Sequence, residues 1–147
     1  MFKKILVGHD SSEVSQKAFE TALDIAKKYG SEVLVVHVID TRSIPNIPHM
    51  EVIIRPLRER AEKLESSVKE TLEKEGVKGK FILKEGSPVE EIAKLAEEED
   101  VDLVVVGSRG LGNVSGYLLG SVSTKLVITC KKNILVVKPQ VAAASKL

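Results

Sequence analysis

The stretch VDLVVVGSRGLGNVSGYLLGSVS, residues 101–123, decides the fold. It begins with an apolar run, residues 103–106, which is too short for a buried helix and rich in β-branched side chains, so a strand buried on both faces is favoured. The run stops at Gly107 and opens into a segment with five glycines, at positions 107, 110, 112, 116 and 120. Apolar side chains then return at roughly helical spacing from Val122. We predict a strand, a glycine-rich loop and a helix N-terminus in succession.

This succession has the properties of a phosphate-binding site. Glycine lets the backbone adopt positive φ and approach a ligand closely, and a helix N-terminus offers unpaired N–H groups and the positive end of the helix dipole. Two common phosphate loops do not fit, because no Gly-Lys-Ser/Thr closes the segment and no acidic residue ends a following strand as in NAD-binding sites. A tight turn without a ligand is the alternative interpretation of these glycines.

The rest of the chain predicts strands and helices in alternation. The apolar runs indicate strands at residues 4–8, 32–39, 80–84, 103–106 and 134–137, and helical stripes begin near residues 14, 57, 88 and 121. Between the second strand and the second helix, Pro45, Pro48 and Pro56 predict an irregular connection over residues 41–56, either a lid or a surface insertion. The pattern predicts one doubly wound, Rossmann-like α/β domain over residues 1–139 and a flexible tail over residues 140–147.

Composition excludes several classes of function. The 147 residues include 22 basic and 21 acidic side chains without a block of like charge, and only 3% are aromatic, so we expect no nucleic-acid or membrane partner. The single cysteine, Cys130, cannot form an intramolecular disulfide and is expected to be a small core residue. No signal peptide or apolar run of membrane-spanning length is recognisable, and we expect a cytoplasmic protein.

A more specific pattern lies in the glycine spacing. Gly107, two residues, Gly110, nine residues and then Gly120-Ser121 match the nucleotide-binding signature of the universal stress protein family. The first strand with its Asp10, the HVID that ends the second strand and the closing ILVVK also fall where that family has them. The chain therefore resembles the ATP-binding branch of this family over nearly its whole length. Periodicity leaves two strand orders open, and the resemblance implies a five-stranded parallel sheet in the order 3-2-1-4-5.

The resemblance also implies a site. In an open parallel sheet a ligand binds beyond the carboxyl ends of the strands where the connections diverge, here between the first and fourth strands. The implied ligand is ATP, or AMP or ADP, with magnesium or manganese bridging the phosphates. Asp10 would approach the ribose or the base, the backbone of Val38 the adenine edge, and the glycine segment the phosphates. The implied nucleotide-binding residues are His9, Asp10, Val38, Val106, Gly107, Ser108, Arg109, Gly110, Gly120, Ser121 and Val122.

Several of these residues also have a purely structural interpretation. Asp10 is a good helix-cap residue, and His9 stands where the family often has a small residue or proline, so it either packs in the loop or contacts the base and titrates. Arg109 either pairs with an anion or lies in solvent. His37, in the middle of the second strand, favours a satisfied sheet histidine over a ligand contact.

The expected function is an ATP-binding, nucleotide-dependent switch in a stress response, with an unidentified protein partner. The sequence shows no Ser-His-Asp order, metal-ligand spacing or paired carboxylates, so we expect no catalytic residues and no metal ligands from the protein itself. A slow ATPase on the same fold and an interaction module without a ligand are the alternatives. The last strand is the edge strand in the implied order, which predicts a homodimer through the segment from Asn133 to Lys138.

Overall fold

The computed structural model describes residues 1–42, 44, 48–109 and 119–139. Over these ranges strands and helices alternate strictly along the chain. They are β1 (Lys4–Gly8), α1 (Glu13–Tyr29), β2 (Glu32–Asp40), α2 (Met50–Glu75), β3 (Gly79–Gly86), α3 (Pro88–Glu98), β4 (Leu103–Gly107), α4 (Ser121–Thr129) and β5 (Ile134–Val137). The strands predicted from apolar runs are all present, and β1 and β5 have the predicted bounds.

The five strands form one parallel sheet in the order β3-β2-β1-β4-β5. This confirms the doubly wound α/β fold and the strand order that the resemblance implies. Leu6 of β1 lies opposite Leu34 of β2 on one side and Val104 of β4 on the other. Because every strand runs in the same direction, all carboxyl ends meet at one edge of the sheet. The connections diverge there, between β1 and β4.

Alternate side chains of the central strands enter two cores on opposite faces of the sheet. Ile5 and Val7 belong to the core that includes residues of α1 and α2, whereas Leu6 and Val104 belong to the core that includes residues of α3 and α4. Both faces are therefore covered by helices. This arrangement explains why the central strands read as continuous apolar runs rather than as alternating ones.

The helix boundaries follow local signals in the sequence. The Ser12 hydroxyl caps α1 by accepting a hydrogen bond from the Ser15 N–H at 3.1 Å, and the helix ends at Gly30 with a φ of 69°. Proline at the first position of α3 also agrees with the sequence, although the Ser87 side chain before it makes no capping bond. Cys130 follows the end of α4 and packs, half buried, against the second core.

The prediction of irregular backbone up to Pro56 is wrong, because α2 begins at Met50 and Pro56 lies inside it. Proline cannot donate to the carbonyl four residues earlier, here that of Val52, so it is usually disfavoured inside a helix. Val52 is 72% exposed, so water can reach this turn, while Ile54 is 3% exposed and anchors it to the protein. Tertiary burial thus outweighs the missing bond. Of the segment interpreted as a lid or a surface insertion, residues 50–56 belong to α2, whereas residues 43 and 45–47, Pro45 included, lie outside the described residues.

Two further sequence predictions concern membrane-spanning segments and the C-terminal tail. In the ranges that the structure covers, no helix has both the length and the apolarity that crossing a bilayer requires. The tail predicted over residues 140–147 lies outside the described residues.

Candidate functional site

A cavity of about 440 Å³ opens at the carboxyl edge of the sheet, where the connections that follow β1 and β4 diverge. Its volume falls within the roughly 300–1,000 Å³ that is typical of small-ligand sites. The loop after β1, the end of β2, α2, the starts of α3 and α4, and the end of β4 all contribute to it. The predicted residues that line the cavity are His9, Asp10, Val38, Val106, Gly107, Arg109, Gly120, Ser121 and Val122.

Two predicted residues are not part of this lining. Ser108 is buried, and its carbonyl accepts hydrogen bonds from the Gly120 N–H at 2.6 Å and the Ser123 hydroxyl at 2.9 Å. Ser108 therefore ties the end of β4 to the start of α4. Gly110 lies outside the described residues, together with residues 111–118.

The start of α4 is placed at the cavity by a close backbone approach. A Cβ atom on Gly120 would lie 3.0 Å from the Arg109 Cα and 3.4 Å from the Ser108 oxygen, so a side chain here would require the two segments to move by a few tenths of an ångström. Ser121 and Val122 are the first residues of the helix, and the N–H groups at such positions have no intrahelical acceptor. The arrangement presents N–H groups and the positive end of the helix dipole to the cavity.

A second close approach brings the loop after β1 to the end of β4. A Cβ atom on Gly107 would lie 2.7 Å from Val14 Cγ1 and 3.1 Å from the Val14 carbonyl carbon. Glycine at this position allows the first turn of α1 to pack directly on β4. Asp10 lies just before that turn, and its Oδ1 accepts a hydrogen bond from the Ser12 N–H at 2.9 Å. Asp10 is therefore not the cap of α1, which is Ser12; it closes the turn before the cap and also lines the cavity.

His9 is packed into this loop and is only 4% exposed. Its Nδ1 accepts a hydrogen bond from the Ser11 N–H at 3.0 Å, and its Nε2 lies 2.9 Å from Gln16 Oε1. A backbone N–H can only donate, so Nδ1 carries no proton, and the neutral ring donates from Nε2 to Gln16. Burial lowers the pKa of His9 below its ordinary value of 6.5; the Gln16 bond and the Asp10 charge oppose this, while His37 adds to it.

The other end of the cavity contains residues that the sequence did not single out as a site. His37 donates from Nδ1 to the His9 carbonyl at 2.7 Å, the satisfied histidine that the sequence favours, yet it also lines the cavity. Arg42 forms two hydrogen bonds with the Asp40 carboxylate, at 2.9 and 2.6 Å, and this contact lowers the pKa of Asp40. Leu57 and Arg60 of α2 complete this end. Leu57 and Arg60 are three residues apart and so share one face of α2, and this spacing could have been recognised in the sequence.

The described side chains do not form a metal site by themselves. Within the ranges covered, no three His, Cys, Asp or Glu residues are placed to hold a metal ion. A divalent cation at this cavity would therefore need ligands that a bound molecule supplies.

Comparisons with known proteins agree on one family. The sequence model of the Universal stress protein family matches residues 1–138. Universal stress protein MJ0577 of Methanocaldococcus jannaschii is 34% identical over 155 residues, which cover 94% of this chain and 96% of that protein. The solved structure of MJ0577 superposes with a TM-score of 0.89 at 37% identity and covers 97% of this chain and 99% of its own.

Two further solved structures share the fold at lower identity. A universal stress protein in complex with cAMP has a TM-score of 0.70 at 24% identity and covers 93% of this chain and 97% of its own. A family member from Arabidopsis thaliana with AMP bound has a TM-score of 0.68 at 23% identity and covers 99% of this chain and 96% of its own.

The tie between β4 and α4 yields a stability test. Ser123 is 2% exposed, and its hydroxyl donates to the Ser108 and Gly120 carbonyls. We expect Ser123→Ala to lower the free energy of unfolding by about 0.5–1.5 kcal/mol, measured by urea denaturation, because the hydroxyl hydrogen bond is lost while both carbonyls keep a backbone donor. Ser121→Ala is the matched control on the exposed side of the same turn, with an expected change within about 0.5 kcal/mol. Equal stability of the two variants would contradict the proposed tie.

Proposed function

The chain belongs to the universal stress protein family, and we propose that it binds an adenine nucleotide in the cavity between β1 and β4. ATP is the proposed ligand, with AMP or ADP as alternative ligands, and the bound state would act as a switch in a stress response that a protein partner reads. The observation that carries this proposal is the convergence of the predicted residues. Of the ten that the structure describes, all but Ser108 line one cavity.

The start of α4 is the proposed phosphate end. Gly120 closely approaches Arg109, and the first N–H groups of the helix face the cavity edge. Such N–H groups and the helix dipole stabilise phosphate oxygens without further charged side chains. We infer that magnesium or manganese would arrive with the nucleotide, because the phosphates would supply ligands that the described side chains do not.

The end of β2 is the proposed base end. The Val36 carbonyl accepts a hydrogen bond from the His9 N–H at 2.9 Å, the last such bond between β1 and β2. In a parallel sheet the backbone groups of alternate residues point to the same neighbour, so the N–H and C=O of Val38 point past the end of β1. Val38 lines the cavity there. A donor and an acceptor side by side match the amino group and ring nitrogen of adenine.

Structures of other family members support the same ligand class. The cAMP complex and the AMP-bound Arabidopsis thaliana protein each hold an adenine nucleotide on this fold. We propose the cytoplasm as its location, because a chain with a single cysteine has no intramolecular disulfide to form and suits a reducing compartment.

Calorimetric titration with ATP and magnesium tests the proposal. We expect binding in the micromolar range, weakened by Gly120→Val because a side chain there would displace the start of α4 from Arg109. Asp10→Asn keeps an oxygen for the Ser12 N–H but removes the charge, and we expect about tenfold weaker binding. Asp24→Asn, on the exposed side of α1, is the matched control and should bind as the unaltered protein does.

The same titration separates the alternatives. A folded protein that ignores ATP would contradict nucleotide binding and favour the interaction module. Multiple-turnover release of phosphate that Asp10→Asn abolishes would favour an ATPase over a switch.

We also propose that β5 pairs with β5 of a second copy. The Asn133 carbonyl accepts a hydrogen bond from the Val104 N–H of β4, and the Val137 carbonyl accepts one from the Ser108 N–H just after β4. The backbone groups of the alternate residues, Ile134 and Val136, therefore point to the free edge of the sheet. Val127 and Ile128 of the neighbouring α4 are 50% and 76% exposed. An edge strand beside exposed apolar side chains is a surface that pairing with another chain would cover.

Substitution at the free edge tests this dimer. Val136→Pro removes a donor that points away from β4, and we expect a monomer by light scattering. Val136→Thr keeps both the N–H and the β-branched shape, so we expect it to remain dimeric. A dimer that survives Val136→Pro would exclude pairing through this edge.

A further inference from the structure

His9 makes hydrogen bonds within the loop that carries Asp10. The loop runs from the end of β1 to the cap of α1, and within it Ser11 has a φ of 74°, which is costly for a residue other than glycine. The Ser11 N–H donates to His9 Nδ1, and the Asp10 N–H donates to the Ser15 hydroxyl, which in turn lies 3.1 Å from the same Nδ1. The ring nitrogen thus stabilises the peptide that follows Asp10.

His9 also links this loop to the other end of the cavity. Its carbonyl accepts the Nδ1–H of His37, and its N–H donates to the Val36 carbonyl. The loop that carries Asp10 and the proposed base end of the cavity are therefore connected through one residue. The His9 side chain is nearly inaccessible, so we do not expect it to contact a ligand directly.

We propose that neutral His9 is a positioning residue of the nucleotide site, which holds the Asp10 loop in its binding conformation and releases it when the ring is protonated. This inference rests on the proposed function. It predicts that nucleotide affinity falls in mild acid, whichever adenine nucleotide the cavity binds.

The direction of the effect follows from the hydrogen bonds. Protonation would place a hydrogen on Nδ1, which would then face the Ser11 N–H as a second donor, and that bond would be lost. The charged or titratable groups around the ring are Asp10 on its own loop and His37 on β2, while α1 contributes Gln16, Ser15 and the Phe19 ring. Burial lowers the pKa of His9, so the ring is neutral at neutral pH and its support is lost as the pH falls below 6.5 and passes through the lowered value.

The test is calorimetric titration of the full chain with ATP and magnesium at about pH 7.5 and about pH 5.5, on either side of the ordinary histidine pKa. In His9→Asn, the side-chain oxygen can accept the Ser11 N–H but does not titrate. We expect the unaltered protein to lose more affinity between the two conditions than His9→Asn loses, by a factor of less than about ten, because a histidine of ordinary pKa would give about tenfold and burial lowers the pKa of His9. Protonation of ATP itself is common to both proteins and cancels in this difference.

Two further variants separate positioning from a general loss of structure. His9→Leu removes the acceptor, and we expect about tenfold weaker binding at both pH values with no excess pH dependence. His49→Asn, at an exposed histidine before α2, should retain the pH dependence of the unaltered protein. In the ligand-free protein, nitrogen-detected NMR of the His9 ring should show the Nε2–H tautomer near neutral pH.

Four results would overturn the inference. Affinities of the unaltered protein and His9→Asn that fall in parallel would show that His9 does not link binding to pH. An Nδ1–H tautomer would show that the ring does not accept the Ser11 N–H. Absence of ATP binding to the unaltered protein at about pH 7.5 would overturn the proposed function and this inference with it, whereas pH-independent binding would overturn the inference alone.

Discussion

Burial of β1 and β4 on both faces is the constraint on which the rest of the structure depends. Ile5, Leu6, Val7, Val104 and Val105 are 0% exposed, so these strands have no room for polar side chains along their length. Polar chemistry is confined to the edge where the strands end. The parallel direction of all strands places those ends together, and the divergence of the connections leaves a cavity between them. The candidate site is thus a consequence of how the core is built.

Packing and ligand binding make the same demand on two glycines. Gly107 allows α1 to pack directly on the end of β4, and Gly120 allows the start of α4 to approach Arg109. These contacts would require glycine even in a protein without a ligand. They also place the N-terminus of α4 at the cavity, so a tight turn and the proposed phosphate site would share one geometry. Gly120→Val therefore needs Asp10→Asn beside it to separate loss of binding from loss of packing.

The elements of the fold could be predicted from the sequence where burial is continuous or a cap is local. The apolar runs at β1 and β5 gave correct bounds, and Gly30 marked the end of α1. The strand order could not be derived from periodicity, because that pattern does not say which strands are neighbours; it came from the resemblance. Pro56 led to the wrong prediction of irregular backbone, because the helix hydrogen bond that it removes is outweighed by the burial of Ile54, which is a tertiary effect. Arg42 and Ser123 entered the site description only through the structure, since their positions depend on how distant elements converge.

The central claim is that one cavity holds an adenine nucleotide with its phosphates at α4 and its base at β2. A crystal structure of the protein grown with ATP and magnesium tests this most directly. We predict phosphate oxygens within hydrogen-bond distance of the N–H groups of Ser121 and Val122, and the adenine edge against the backbone of Val38. A nucleotide bound elsewhere on the protein, or a cavity that stays empty at saturating ATP, would contradict the account.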